Sequence, residues 1–177
     1  MIGKILVAVD GSTQAGKALD LAIDMAKAFA AELTVLHIIS EQALTEGERR
    51  LAGSEYQAEV LQAVGGSQFT APLGSAPMSV EDLVGASYSV GVAIRTAIGR
   101  AIVDRAETDA RSQRVTSVKT MLRDGDPASV IIEVANDEKP DLLVMGSRGL
   151  GGMQRLLLGS VSQKVSHSAG CTVTIVK

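Results

Sequence analysis

The sequence predicts an α/β protein in which strands and helices alternate along the chain and the strands form a doubly wound, five-stranded parallel sheet. Short apolar runs, typical of strands buried on both faces, alternate with longer segments whose apolar residues recur at helical spacing. The 177 residues, 46% of them hydrophobic, suffice for the core of one domain. We therefore expect a single domain over residues 1–177 with helices on both faces of the sheet.

The first strand–helix–strand unit is visible at the beginning of the chain. Residues 2–9 are a nearly continuous apolar run that stops at Asp10, which predicts a buried strand. Residues 13–30 place apolar side chains on one side and charged ones on the other, which predicts a crossover helix. The second predicted strand is Glu32–Ile39.

The second half of the chain repeats this alternation. Asp126 suits a helix N-cap and Pro127 suits the first helical position, so a helix is expected from Pro127 to Asn136. The other elements expected here are the strand Val115–Leu122, the strand Asp141–Met145, the helix Gly159–Ser168 and the strand Thr172–Val176.

The middle of the chain, residues 41–112, departs from a single crossover. Helical spacing predicts two helical stretches, around residues 56–64 and 90–102. Residues 65–79 between them are rich in glycine, serine and proline, with Ser79 and Asp82 suited to capping the second helix. We expect an insertion at about residues 65–80. It is either a flexible loop or a flap over the site or a partner subunit.

Composition excludes several functional classes. With 17 basic and 20 acidic residues the formal charge is −3, so a nucleic-acid-binding role is disfavoured. No segment has the roughly 20 apolar residues of a membrane span and no signal peptide is recognisable, so we expect no membrane partner and a cytoplasmic protein. The single cysteine, Cys171, is expected to be a buried apolar residue.

A glycine pattern follows the predicted fourth strand. It reads Gly146-x2-Gly149-x9-Gly159-Ser160, and the last two residues open a predicted helix. Glycines permit positive φ and a close approach of backbone amides to an anion. A helix start adds free N–H groups and the positive end of a dipole. The pattern therefore predicts a phosphate site, although the glycines could also serve only a turn and a helix boundary.

This spacing resembles that of the universal stress protein family, together with ILVAVDGS at residues 5–12 and CTVTIVK at residues 171–177. It is most similar to the ATP-binding branch, and the resemblance covers roughly residues 1–40 and 113–177. It implies an adenine-nucleotide alpha-hydrolase-like fold with sheet order 3-2-1-4-5 and a homodimer formed through the C-terminal strand. Pairing of that strand would also cover an exposed apolar edge.

The resemblance implies a nucleotide site at the carboxyl ends of the strands. Asp10 would contact nucleotide or ligate Mg²⁺, although an Asx turn or a helix cap is the alternative. Arg148 would pair with a phosphate or remain a solvated cation. His37 is interpreted as structural. The full set of expected nucleotide contacts is Ala8, Val9, Asp10, Ile38, Met145, Gly146, Arg148, Gly149, Gly159, Ser160, Val161 and Ser162.

The function expected from these residues is binding of ATP, ADP or AMP by a regulatory stress-response module, with Mg²⁺ as a further cofactor. Phosphoryl transfer needs an oriented nucleophile, and no residue suggests itself, so we expect slow hydrolysis at most and no catalytic residue. The alternatives are a nucleotide-free dimeric scaffold acting through protein contacts and, more weakly, an ATPase or phosphotransferase.

Overall fold

The computed structural model describes residues 1–40, 44–65, 88–151 and 158–177. They contain a five-stranded parallel sheet of order β3-β2-β1-β4-β5, as expected. The strands are β1 (Lys4–Ala8), β2 (Glu32–Ile39), β3 (Val118–Asp124), β4 (Leu142–Gly146) and β5 (Thr172–Val176). The helices are α1 (Thr13–Phe29), α2 (Glu46–Gly53), α3 (Gln57–Gly65), α4 (Tyr88–Ser112), α5 (Pro127–Glu138) and α6 (Ser160–Ser168).

The central strands are buried on both faces, which explains their unbroken apolar sequences. Ile5, Leu6 and Val7 of β1 are each at most 1% exposed. Alternate residues of each strand enter two separate clusters. One cluster joins the sheet to α1, α2, α3 and α4, and the other joins it to α5 and α6. The sheet is therefore covered by helices on both sides, as a doubly wound fold requires.

Local capping sets several helix boundaries. Asp126 is the N-cap of α5, accepting a hydrogen bond from Ser129 N, and Pro127 occupies the first turn, as predicted. The helix extends two residues beyond the expected Asn136, to Glu138. It ends at Lys139, which has positive φ. The third strand begins at Val118 rather than Val115, because Val115 N donates to Ala110 O and thereby closes the turn after α4.

The middle of the chain contains one helix more than predicted among its described residues. Helix α2 begins after Thr45, whose side chain accepts a bond from Glu48 N while the Glu48 carboxylate accepts one from Thr45 N. This capping box was the sequence signal for α2 and was overlooked. The expected insertion at about residues 65–80, whether loop or flap, lies outside the described residues apart from Gly65, as does the expected Ser79 and Asp82 cap, and both stay predictions.

Helices α2 and α4 cover the turn that joins β1 to α1. Gly11 in this turn has φ +82°, and an added Cβ would lie 3.0 Å from Leu51 of α2 and 3.1 Å from Ile102 of α4. Helices α2 and α4 thus form one wall at the carboxyl end of β1. Within the described parts of the chain, no helix combines the length and apolar character needed to cross a lipid bilayer.

Candidate functional site

The carboxyl ends of β1 and β4 lie side by side. Ala8 is paired with Met145 in the parallel register, so the residues that follow each strand emerge at the same edge of the sheet. Asp10 and Gly146 therefore come close together although 136 positions separate them in the sequence. This edge, where the chain turns to opposite sides of the sheet, is the position at which open α/β sheets bind ligands.

The Asp10 carboxylate joins two backbone segments. Its Oδ1 accepts a hydrogen bond from Ser12 N at 3.0 Å, which forms an Asx turn. Its Oδ2 accepts a hydrogen bond from Leu150 N at 3.1 Å, across to the glycine loop. Asp10 thus has the structural role that was the alternative to ligand binding. Because a carboxylate has about four acceptor positions, two remain for a ligand or Mg²⁺.

Ser12 links the same two segments from the helix side. Its hydroxyl caps α1 by accepting a hydrogen bond from Ala15 N at 3.2 Å. The same oxygen lies 3.4 Å from the Arg148 carbonyl, to which it donates. Ser12 is 9% exposed, so this contact is shielded from solvent. Asp10 and Ser12 together hold the glycine loop against the start of α1.

Two of the motif glycines are required by packing within the protein. A Cβ on Gly146 would lie 2.9 Å from the Gln14 carbonyl carbon and 3.0 Å from Ala15 N, both in the backbone of α1. A Cβ on Gly149 would collide with Asp10 Oδ2. The glycines with positive φ in the described chain are Gly11 and Gly125, not the motif glycines. Positive φ is therefore the wrong reason for the glycines of this motif, and at Gly146 and Gly149 the reason is close packing against α1 and Asp10.

The third motif glycine, Gly159, is not required in this way. Its φ of −76° suits any residue. An added Cβ would meet Ser147 O at 3.4 Å and Arg148 Cα at 3.6 Å, which are ordinary contacts. Gly159 is the N-cap of α6, where glycine is favoured along with serine, threonine, aspartate and asparagine. Packing therefore permits a glycine at this position but does not require one.

The N-terminus of α6 also lacks a side-chain cap. Helices α1, α2 and α5 are capped by Ser12, Thr45 and Asp126, whereas α6 has no side-chain cap from the part of the chain that the structure describes. Ser160, the first residue of α6, is exposed. The first-turn amides at the positive end of α6 thus have no capping side chain among the described residues.

Ser147 forms the junction between β4, β5 and α6. Its N–H donates to Val176 O at 2.6 Å, and its carbonyl accepts a hydrogen bond from Gly159 N at 2.8 Å. The Ser162 hydroxyl, also directed at the Ser147 carbonyl, lies 2.8 Å from it. Ser147 and Ser162 are 1% and 2% exposed. The Ser162 hydroxyl thus faces two backbone carbonyls, those of Ser147 and Gly159.

The apolar residues expected to contact the nucleotide are mostly interior. Ala8 and Met145 are buried in the cluster beneath α5 and α6, with Ile38 and Val161 partly buried against it. Val9 is buried in the cluster on the opposite face. Its N–H donates to Leu36 O at 2.9 Å, and its carbonyl lies 2.8 Å from His37 Nδ1. Of these side chains, Ile38 at the end of β2 and Val161 in α6 are therefore the two that stay partly accessible.

His37 is a structural residue next to the site, as interpreted from the sequence. Because its carbonyl partner Val9 only accepts, Nδ1 carries a proton and donates. Burial lowers the pKa of His37, opposed by the hydrogen bond to Val9 and by the charges of Asp10 and Glu48. Gly99 of α4 lets that helix lie directly on the imidazole, because a Cβ there would be 2.8 Å from Cδ2.

The structure brings the glycine loop, Asp10 and the start of α6 together at one edge of the sheet. Arg148 is half-buried within this loop. No group of three or more histidine, cysteine, aspartate or glutamate side chains suited to a metal occurs among residues 1–40, 44–65, 88–151 and 158–177.

The whole chain, residues 1–177, matches the model of the universal stress protein family. The chain belongs to the universal stress protein family. The match includes the middle segment that the sequence resemblance left uncovered. This universal stress protein is 32% identical to Universal stress protein YxiE of Bacillus subtilis over 177 residues, covering 100% of both chains.

Solved structures show the same fold. The universal stress protein UspA from Lactobacillus plantarum superposes with a TM-score of 0.68 at 21% identity, over 99% of this chain and 98% of that one. A universal stress protein in complex with cAMP gives a TM-score of 0.61 at 22% identity, over 99% and 97%. A family protein from Arabidopsis thaliana with AMP bound gives 0.59 at 19% identity, over 99% and 91%.

Three residues that shape the site were missed by reasoning from the sequence. Ser12 could have been found, because a serine directly before an amphipathic helix is a capping signal. Ser147 and Leu150 act through a backbone carbonyl and a backbone amide. Such roles leave no trace in side-chain type, and no sequence signal points to them.

Proposed function

We propose that this protein is a cytoplasmic regulatory module that binds an adenine nucleotide, with ATP as the nucleotide that its glycine pattern favours. The observation that supports this most directly concerns the N-cap position, Gly159. This position has room for a side chain, yet it carries none and therefore makes no side-chain capping bond to α6. That absence is explained if a phosphate takes the place of the cap. The adenine nucleotides in two related structures supply the ligand class.

In this proposal, different residues contact the different parts of the nucleotide. Phosphates would lie at the exposed start of α6 near Ser160 and Val161, with Arg148 supplying a cation. Gly149 would let the phosphate chain approach the loop backbone, and Asp10 would hold Mg²⁺ or a ribose hydroxyl through its remaining acceptor positions. The base would lie at the strand ends, against Ile38 and the backbone of Ala8, Val9, Met145 and Gly146.

Hydrolysis is not part of the proposal beyond a slow background rate. Both oxygens of the Asp10 carboxylate already accept hydrogen bonds from backbone amides, which gives this side chain a structural role. Phosphoryl transfer also needs a residue that orients water or a hydroxyl for in-line attack. None of the proposed contact residues is suited to that role.

We further propose a homodimer formed through β5. This strand lies at the edge of the sheet, and its apolar residues Val173, Ile175 and Val176 are only partly buried. An open edge of this kind invites pairing with a second strand. A monomeric mass by light scattering at micromolar concentration would contradict the dimer.

The experiment that tests the nucleotide site is calorimetric titration of nucleotide-stripped protein with Mg-ATP, AMP and cAMP, repeated on Gly159→Asp. The new carboxylate would cap α6 and occupy the phosphate position. We expect ATP binding to weaken by about 100-fold, while the free energy of unfolding stays the same or rises by a few tenths of a kcal/mol.

The matched control is Gly170→Asp, which adds the same charge beyond the other end of α6 at a position where a Cβ makes an ordinary 3.7 Å contact. It should leave ATP affinity within about twofold, because exposed charges that far apart are largely screened. Equal ATP binding by Gly159→Asp and the native protein would overturn the phosphate assignment. No nucleotide binding by the folded native protein would instead favour the nucleotide-free dimeric scaffold.

A further inference from the structure

The buried hydroxyl of Ser162 lies between two backbone carbonyls. It is 2.8 Å from Ser147 O and 3.0 Å from Gly159 O. A hydroxyl has one proton, so it donates to one of these oxygens or is shared between them. Ser162 is 2% exposed. Its hydroxyl is therefore committed to the backbone and shielded from a ligand on the solvent side.

The two bonds have different meanings. A serine in a helix commonly donates to the carbonyl three or four residues earlier, and the contact with Gly159 is of this local kind. The contact with Ser147 spans 15 residues and crosses the whole loop. Ser147 precedes the loop and Gly159 follows it, and these two residues are themselves joined by the 2.8 Å hydrogen bond from Gly159 N. Ser162 thus reinforces the contact that closes the loop.

Closure of the loop determines where the start of α6 lies. Ser147 is attached on its other side to β5, through its N–H and Val176 O. Ser147 therefore connects Gly159 to the end of the sheet by hydrogen bonds. These bonds fix the position of Gly159 and of the first-turn amides of α6. Removal of the Ser162 hydroxyl would leave the Ser147 carbonyl with one of these two donors, the Gly159 N–H, and the loss of a buried hydrogen bond should loosen the connection.

We infer that Ser162 is a positioning residue, which aligns the phosphate-binding start of α6 with the end of β4 through the Ser147 carbonyl and does not itself contact the nucleotide. The inference rests on the proposed nucleotide function. It replaces the direct phosphate contact that the family resemblance implies for this serine.

The test compares Ser162→Thr with Ser162→Val, which add the same bulk at the buried position but differ in the hydroxyl. Ser162→Ala serves as a third variant that adds no bulk. Ser166→Val is the control on the same helix, because Ser166 makes only the local bond, to Gln163 O. Each variant is titrated with ATP and with adenosine. Amide hydrogen exchange at Gly159 is measured on the ligand-free proteins.

We expect exchange at Gly159 to be about tenfold faster in the Val and Ala variants, in line with the loss of one buried hydrogen bond. The Thr variant should restore the native rate, and Ser166→Val should not change it. ATP should bind about tenfold more weakly to the Val and Ala variants, while adenosine, which has no phosphate to align, should bind as it does to the native protein.

Weaker ATP binding with unchanged exchange at Gly159 would show a direct contact and overturn the inference, as would unchanged behaviour in both measurements. If the native protein binds no nucleotide but the variants still exchange faster, the proposed function fails. The Ser162 contact would then stabilise the fold only, and its role at a phosphate site would be overturned as well.

Discussion

The two ends of the glycine loop satisfy different demands. At the strand end, Gly146 and Gly149 have no room for a side chain, because the backbone of α1 and the Asp10 carboxylate occupy the space. At the helix end, Gly159 has room for one and an ordinary backbone conformation. A single sequence motif thus combines two glycines that packing requires with one that packing does not require, where we propose a phosphate.

The strand end should be the more sensitive to substitution in the absence of ligand. We expect Gly146→Ala to lower the free energy of unfolding by about 3 kcal/mol, because the new Cβ would overlap the α1 backbone and neither β4 nor α1 can move freely. Urea denaturation measures this. The control is Gly16→Ala in α1, where a Cβ meets nothing within 4 Å. That change should stabilise the protein by up to about 1 kcal/mol.

If Gly146→Ala proved as stable as the native protein, the distinction between the two ends of the loop would fail. Urea denaturation of Gly159→Asp could then not distinguish an effect on folding from an effect on nucleotide binding.

A smaller effect is expected at Gly149. Gly149→Ala should cost about 2 kcal/mol, because the Asp10 carboxylate must move and give up its hydrogen bond from Leu150 N. A double-mutant cycle with Asp10→Ala identifies the cause. Once the carboxylate is absent, Gly149→Ala should cost little. Additive costs in the double mutant would show that Gly149 is required for another reason.

The smallest effect is on the pH dependence of stability, and we expect it to come from His37 of β2. The pKa of His37 is lowered in the folded protein, so the unfolded chain binds a proton that the folded state resists. The contribution of neutral His37 to the free energy of unfolding is therefore fully present above about pH 6.5. It decreases as the pH falls below this value, by no more than about 1.4 kcal/mol per pH unit. The groups that face His37 are Asp10 after β1, Glu48 of α2, and the uncharged Gly99 and Leu122 of α4 and β3.

Urea midpoints between pH 7.5 and 5.5 measure this dependence. His37→Gln should remove most of the slope, whereas His167→Gln on the exposed side of α6 should keep it. An unchanged slope in His37→Gln would show that another group is responsible.

Much of the fold followed from local patterns. The buried strands, the amphipathic α1, and the Asp126–Pro127 start of α5 were predicted from periodicity and capping, and the structure has them. The sheet order came from the family resemblance and is confirmed. Helix α2 was missed although its capping box is local, because no apolar periodicity accompanies it over eight residues.

The sequence by itself determined the alternation of strands and helices, the strand ends at which Asp10 and Gly146 lie, and the presence of three spaced glycines. These features depend on residues close together in the chain, where propensity, capping and periodicity act. Only the tertiary structure decided which glycine has room for a side chain and that the Ser162 hydroxyl faces the Ser147 carbonyl. The physical reason is that steric overlap and buried hydrogen bonds are made between segments, such as β4 and α1, that are distant in sequence and meet only when the sheet has formed.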